Sequence, residues 1–417
     1  MPQRPGTPRL LRQINDRAAL ELLLSDGPLT RAELGELTGL SKVTSGQLLS
    51  RLETRGLVRA AGERPGGRGP NAALYGVNPS SAYVAGLEVL PGSVTAAVAD
   101  ITGTVAAEVT VDPTDAGDPV RMVHEAVLRA CETASVEISR LRCLVIGTRG
   151  VVDPGSGEVR YSVDLPAWHV GILAGLRRLL GDCVIIENDV NLAALAEQAY
   201  GAARGVDDFV ILWTGVGQGL GVMLGGRLHR GIAGAAGEIG WLPVPGQPLP
   251  SDVTAPQTGS FQRLVGGEAL EGLARLHGVR SAPVGSGPVG SVPVGPDFRG
   301  SAGPPAHGAA DGDGVAGLVR TALATGNHGF VDDLAERLAV GVAAVSVVLD
   351  PGLVVLSGDI GRAGGSALAA RVEEAVARVC PSRPAVAVTG VDGNPVLRGA
   401  IVAALARARD EVFSDTV

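Results

Sequence analysis

Along Leu10–Leu24 the apolar residues Leu11, Ile14, Ala18 and Leu22 return at spacings of three and four, the period of an amphipathic helix, and Gly27-Pro28 ends it. Thr30-Arg31-Ala32-Glu33 has the form of a capping box: the Thr30 hydroxyl can accept from the Glu33 N–H while the Glu33 carboxylate reaches back. A short helix to Thr38 follows. Gly39 permits a sharp turn, and Ser41 is positioned to cap a third helix with Val43, Leu48, Leu49 and Leu52 as its inward face, closed by Gly56. Leu57–Ala60 and Ala73–Val77 read as short strands around the Gly/Pro/Arg turn at 63–70. Three helices and a hairpin predict a winged helix-turn-helix over residues 1–78.

Past Asn78 the pattern changes to apolar strands alternating with helical stretches and Gly-rich turns, which predicts an α/β domain over 79–417. Strands are expected at Tyr83–Val89, Val94–Asp100, Cys143–Gly147, Val184–Glu187, Phe209–Trp213 and Leu353–Leu356. Residues 280–313 break the order: Gly, Pro, Ser, Ala and Asp dominate, and Pro-Val-Gly recurs at Pro283, Pro288 and Pro293. Such a composition buries too little apolar surface to offset its ordering entropy, so a disordered surface insertion is expected there.

The longest nearly unbroken apolar run, Leu338–Leu349, is well short of the ~20 residues that span a bilayer and reads as a buried helix. No apolar stretch follows the Arg- and Pro-rich start to serve as a signal-peptide core, so a cytoplasmic protein without membrane insertion is expected. Cys131, Cys143, Cys183 and Cys380 lie far apart, which signals neither a zinc site nor a disulfide framework. The net charge of -8 conceals an asymmetry: residues 1–78 hold 11 Lys and Arg against 7 Asp and Glu, and the rest 24 against 36. A basic head on an acidic body suits a DNA-reading module joined to a part that does not touch DNA.

In a helix-turn-helix the N-terminal part of the second helix of the motif enters the major groove. That position holds Lys42, the only lysine in the chain, with Thr44, Ser45 and Gln47, a set of donors and acceptors able to read base edges. Ser50 and Arg51 lie farther along, where phosphate contact is expected. In the wing turn, Gly67-Arg68-Gly69-Pro70 would let the backbone approach a narrow minor groove while Arg68 enters its negative potential.

These motifs, and five farther on, resemble the transcriptional-regulator branch of the ROK (repressor, open reading frame, kinase) family over nearly the whole chain apart from the insertion. Leu11-Arg12-Gln13-Ile14-Asn15, Gly39-Leu40-Ser41-Lys42 and Gly66-Gly67-Arg68-Gly69-Pro70 are similar to its DNA-binding domain. In the body the matches are Gly147-Thr148-Arg149-Gly150-Val151-Val152-Asp153, Glu187-Asn188-Asp189-Val190-Asn191, Gly215 to Gly221, Gly237-Glu238-Ile239-Gly240 and Val355-Leu356-Ser357-Gly358. The resemblance implies an actin-like (ribonuclease H-like), two-lobed sugar kinase fold behind the winged head. It also implies that Asn188, Asp189 and Glu238 bind sugar hydroxyls, with Gln262 at a position where the family usually has Glu.

The phosphate machinery departs from the family pattern. Glu88-Val89-Leu90-Pro91-Gly92-Ser93 stands where kinases have Asp-Gly-Gly-Thr, and Pro91 lacks an N–H. Val216 replaces a Thr of the second phosphate loop. Because phosphoryl transfer rests on positioning and charge neutralisation, no catalysis is expected. The family's zinc ligands are replaced by Trp241, Val253, Ala255 and Ser260, so neither a metal nor another cofactor is expected. The resulting expectation is a repressor of carbohydrate-related genes that senses a sugar or sugar phosphate. It would bind a palindromic double-stranded operator with A/T-rich flanks as a homodimer or homotetramer. A regulator whose body serves oligomerisation alone and an active sugar kinase remain the alternatives, and Asn188 and Asp189 have a competing use as helix caps.

Overall fold

The computed structural model describes residues 8–65, 71–112, 118–162, 171–215, 217–251, 258–280 and 312–414. The head comprises α1 (Pro8–Ser25), β1 (Leu29–Thr30), α2 (Arg31–Thr38), α3 (Lys42–Thr54), β2 (Val58–Arg64) and β3 (Ala72–Val77). Thr30 and Glu33 form the expected capping box, Gly39 ends α2 in the left-handed conformation at φ 69°, and Ser41 caps α3 through its hydroxyl. An antiparallel sheet of order β1-β3-β2 completes the head.

Two faces differ from the sequence reading. On α1 the buried positions are Asp16, Ala19, Leu20 and Leu23, while Leu11 and Ile14 are exposed. On α3 the inward set is Ser45, Leu48, Leu49 and Leu52, and Val43 is 70% exposed. Periodicity allowed either face in each helix; a buried carboxylate and a buried hydroxyl, each with a partner, decided them.

The body contains one topology twice. In the first lobe β4 (Tyr83–Leu90), β5 (Ser93–Asp100) and β6 (Val105–Val111) form an antiparallel meander, and β7 (Leu141–Thr148) and β10 (Val184–Asn188) extend it in parallel on the other side of β4. Helices α4 (Pro119–Ala134) and α5 (Ile172–Leu180) make the crossovers, and a hairpin of β8 (Val151–Val152) and β9 (Val159–Tyr161) follows β7. In the second lobe β11 (Phe209–Thr214), β12 (Gln218–Leu224) and β13 (Arg227–Leu228) form the meander, extended by β14 (Leu353–Ser357) and β15 (Ala385–Val388). The sheet orders β10-β7-β4-β5-β6 and β13-β12-β11-β14-β15 are the same 5-4-1-2-3 arrangement when each lobe is counted alone. This duplicated, actin-like architecture is the expected fold class.

Two helices link the lobes. α6 (Asp189–Tyr200) leads from β10 into the second lobe, and α12 (Pro395–Ser414) returns from β15 to pack on β4, β7 and α6. Helices α7 (Phe261–Val265), α8 (Gly267–Leu276), α9 (Gly312–Ala324), α10 (His328–Leu349) and α11 (Gly358–Val379) build up the second lobe. The apolar run at 338–349 is the end of α10; its first half is buried, but Val347 and Val348 are 66% and 78% exposed, so that stretch is only partly a core helix. Among the described residues no helix is long and apolar enough to cross a membrane. Most of the insertion expected at 280–313 lies outside the described residues.

Candidate DNA-reading head and carboxylate cleft

The N-terminal turn of α3 presents Lys42, Val43, Thr44 and Gln47 to solvent, with Ser50 exposed one turn on. Thr44 also touches the Ser41 cap, hydroxyl to hydroxyl at 2.9 Å. Ser45 does not belong to this surface. It is fully buried, its Oγ donates to the Ser41 carbonyl at 3.0 Å, and it closes against Gly35 of α2. Its role is to join the two helices, because a hydroxyl with a backbone acceptor is small enough for their crossing and satisfied there.

Arg51, expected on phosphate, has a partner within the head. Its guanidinium pairs with Asp16 of α1 at 2.5 Å, and the Asp16 side chain is completely buried. Removing Arg51 would strand that charge, so its first duty is to hold α3 on α1. Arg64 of strand β2 pairs with Glu33 of α2. Arg68 lies outside the described residues. Val43 was missed as a candidate surface residue because an apolar side chain in a helix is ordinarily read as core; exposed at this turn, it suits a thymine methyl group.

In the body, β7 and β10 end beside one another, and the carboxyl ends of parallel strands are where ligands meet such sheets. Asn188 caps α6: its Oδ1 accepts from the Asn191 N–H at 3.1 Å, and its Nδ2 donates to the Gly150 carbonyl at 3.1 Å. The capping use weighed against a sugar contact is therefore present for Asn188. Asp189 Oδ1 accepts from the N–H of Val190 at 2.9 Å, and the residue is half-buried. Its charge acts on two other carboxyls. Burial, with the Asp189 charge second, raises Glu238 above its ordinary range, while a hydrogen bond from the Trp241 side chain opposes the rise. Trp241, at a zinc-ligand position of the family pattern, thus holds Glu238 here; Ser260 is buried in a bridge with Pro243, and Val253 and Ala255 lie outside the described residues.

Glu88 at the end of β4 is the residue that the sequence reading left out of the ligand set. Burial pushes its carboxyl up to about 7, a hydrogen bond from Asn394 offsets part of the rise, and the charges of Asp189 and Asp359 add to it while Arg149 opposes them. Charge effects thus link Glu88 to Arg149, Asp189 and Asp359, and Glu238 to Asp189, across five separate segments of the chain. Glu88 had a visible signal in its place within the first loop motif. Asn394 had none, standing 306 residues away from its partner.

Gln262, expected to meet a sugar hydroxyl, has a structural contact as well. Its Oε1 accepts from the backbone N–H of Gln218 at 3.1 Å, and Gln218 Nε2 donates to the Gly215 carbonyl at 3.0 Å, so Gln262 braces the glycine loop. The loop's glycines also serve packing: a Cβ on Gly219 would come within 2.6 Å of the Val190 side chain on α6. Val216 lies outside the described residues. The β4–β5 connection is a tight turn in which Leu90 pairs with Ser93, leaving Pro91 and Gly92 at the tip, a poor cradle for phosphate oxygens because one of two tip residues has no N–H.

A family model described as the ROK family matches residues 84–407. The xylose repressor of Caldicellulosiruptor bescii is 27% identical over 240 residues, which cover 56% of this chain and 60% of that protein. The DNA-binding transcriptional dual regulator NagC of Escherichia coli is 23% identical over 269 residues, covering 64% and 66%. The chain thus matches less than two thirds of the length of these curated relatives. A solved ROK family transcriptional regulator, a homologue of the E. coli MLC protein, superimposes with a TM-score of 0.70 at 17% identity over 97% of this chain and 99% of that one. The ROK hexokinase of Thermus thermophilus gives 0.59 at 26% identity over 79% and 99%.

Proposed function

The chain belongs to the ROK family, and from that premise we propose that it is a DNA-binding repressor of carbohydrate genes whose kinase-like body senses a sugar or sugar phosphate without phosphorylating it. The head, residues 1–78, would read an operator through Lys42, Val43, Thr44 and Gln47, with Ser50 on phosphate and Arg68 in the minor groove. The body, residues 79–417, would hold the effector and pair two or more copies across a palindrome. The named repressors among its relatives support this reading.

The single observation that carries the sensor reading is the combination of retained carboxylates at Asp189 and Glu238 with a first hairpin reduced to the Pro91-Gly92 tip. Carboxylates accept hydrogen bonds from the hydroxyls of a polyol, and a kinase would use the same Asp to take the proton of the attacking hydroxyl. Without a cradle for the donor phosphate, the accepting role remains. Asn188 would support the site by fixing the start of α6, and Gln262 by fixing the glycine loop.

The test is operator binding titrated with D-xylose, N-acetylglucosamine and their phosphates, the operator being taken from a genome-wide map of bound DNA. Asp189→Asn and Glu238→Gln exchange an acceptor for a donor and leave a sugar hydroxyl mispaired, at about 1–3 kcal/mol each. The effector response should shift to roughly 5- to 150-fold higher sugar concentration, while operator affinity without sugar stays near parental. An unshifted response in both variants would favour a body used for oligomerisation alone. Sugar-dependent ATP consumption above background would make the protein a kinase.

A further inference from the structure

We propose that α12 carries the state of the cleft to the DNA-reading head, with Asn394 as the positioning residue at its cleft end. The inference rests on the sensor reading of the cleft and adds the path by which that sensor would act. The Asn394 side chain does two things at once. Its Nδ2 donates to the Glu88 carboxylate, and its Oδ1 accepts from the Leu397 N–H at 2.9 Å, which caps the first turn of α12. A polyol that donates its own hydroxyls to Glu88 competes for the acceptor on which Asn394 is seated.

The other end of the same helix is fastened to the head. Asp410 pairs with Arg17 of α1 at 2.6 Å, the Val412 carbonyl accepts from Arg55 at the end of α3 at 3.1 Å, and the Ser414 carbonyl accepts from Gln13 at 3.4 Å. One continuous apolar core holds Leu20, Leu23 and Leu52 of the head together with Leu405, Ala408 and Phe413 of α12. The segment from Asn394 to Val412 spans about 27 Å at 1.5 Å per residue. Little slack exists along it: a Cβ on Gly399 would lie 1.8 Å from the Leu192 carbonyl of α6, so the two helices touch backbone to backbone. Because α6 begins at Asn188 and Asp189, both helices that leave the cleft are packed into one unit. Packed units of this kind respond by shifting as bodies of roughly 1–2 Å rather than by bending.

Hydrogen–deuterium exchange of the full chain, read on the α1 and α3 amides, tests the path, with D-xylose and N-acetylglucosamine as probes and calorimetry to follow their binding. In the parent the sugar that binds should change head exchange at least threefold. Asn394→Ala should lose that response, and Asn394→Ser should lose it too, since serine still caps the helix and no longer reaches Glu88. Recovery of the response in Asn394→Ser would mean that capping is all Asn394 does, and a parental response in Asn394→Ala would equally overturn the proposal. A second measurement needs no sugar. The effects of Asn394→Ala and Arg55→Ala on head exchange should fail to add, although sites so far apart ordinarily do; additive effects would overturn the proposal. A parent that binds no sugar would sink the sensor reading and leave this double-mutant cycle to judge α12.

Discussion

Arg51 shows how one side chain can match a DNA-contact motif and still be used for structure. Its partner Asp16 is fully buried, and cutting one member of such a pair strands the other. Arg51→Ala should therefore destabilise the protein by about 3–5 kcal/mol, whereas an apolar replacement of both residues, Asp16→Leu with Arg51→Met, should recover most of the loss. Denaturant titration followed by far-ultraviolet dichroism checks this, and a parental midpoint for Arg51→Ala would return Arg51 to the phosphate contacts. Glu88 offers a second measurement, because its carboxyl lies at about 7 in the folded protein against an ordinary 4.5. The fold binds this proton more tightly than the unfolded chain does. The stability that follows is complete below about pH 4.5 and lost as pH rises through about 7. Glu88→Gln removes the dependence, so the melting temperature of the variant relative to the parent should climb between pH 5 and 8. Each kcal/mol is worth roughly 2–4 °C for a domain of 150–250 residues, and a difference flat with pH would contradict the assignment.

At the scale of the element, α3 divides its work by exposure. Gln47 is exposed on the turn that would face the groove, and Ser45 is sealed against Gly35. On a set of single-base operator variants, Gln47→Ala should relax preference at particular base pairs by about 1–3 kcal/mol. Ser45→Ala should leave the pattern of preference intact while lowering thermal stability. The opposite assignment of effects would mean that the helix is rotated about its axis from the orientation described.

For the whole molecule, the described residues link the lobes through the α6–α12 helix pair and through an ion pair. The pin of the helix pair is Glu197, fully buried on α6, whose carboxylate accepts from Ala202 N at 2.9 Å, Gly390 N at 3.2 Å and the Thr389 hydroxyl, ahead of α12. The ion pair is Arg230, after β13 in the second lobe, with Glu187 at the end of β10 in the first, at 2.6 Å. Arg230 is partly exposed, so the pair is worth about 0.2–1 kcal/mol. Arg230→Ala should accordingly shift an open–closed equilibrium of the lobes by up to roughly fivefold toward open. Interlobe distances from spin labels on α4 and α11 would report it, and an unchanged distance distribution would show that the bridge does not hold the cleft.

The sequence alone determined what local chemistry can specify. Thr30 and Glu33 make the box, Gly39 the turn and Ser41 the cap as read, because each depends on neighbours three or four residues away. The six body strands stand within a residue or two of their expected bounds, since β-branched and apolar runs between turn residues leave few alternatives. Asp189 and Glu238 were visible as motif carboxylates, and their electrostatic coupling appeared only with the fold. The tertiary structure decided which faces of α1 and α3 are inward, for periodicity cannot weigh a buried Asp16–Arg51 pair or a buried Ser45 against an exposed Val43. It also decided that Asn394 meets Glu88, and that α12 returns to the first lobe and touches the head. Those contacts join residues hundreds of positions apart, and side chains so distant in the chain are brought together only by the packing of the whole.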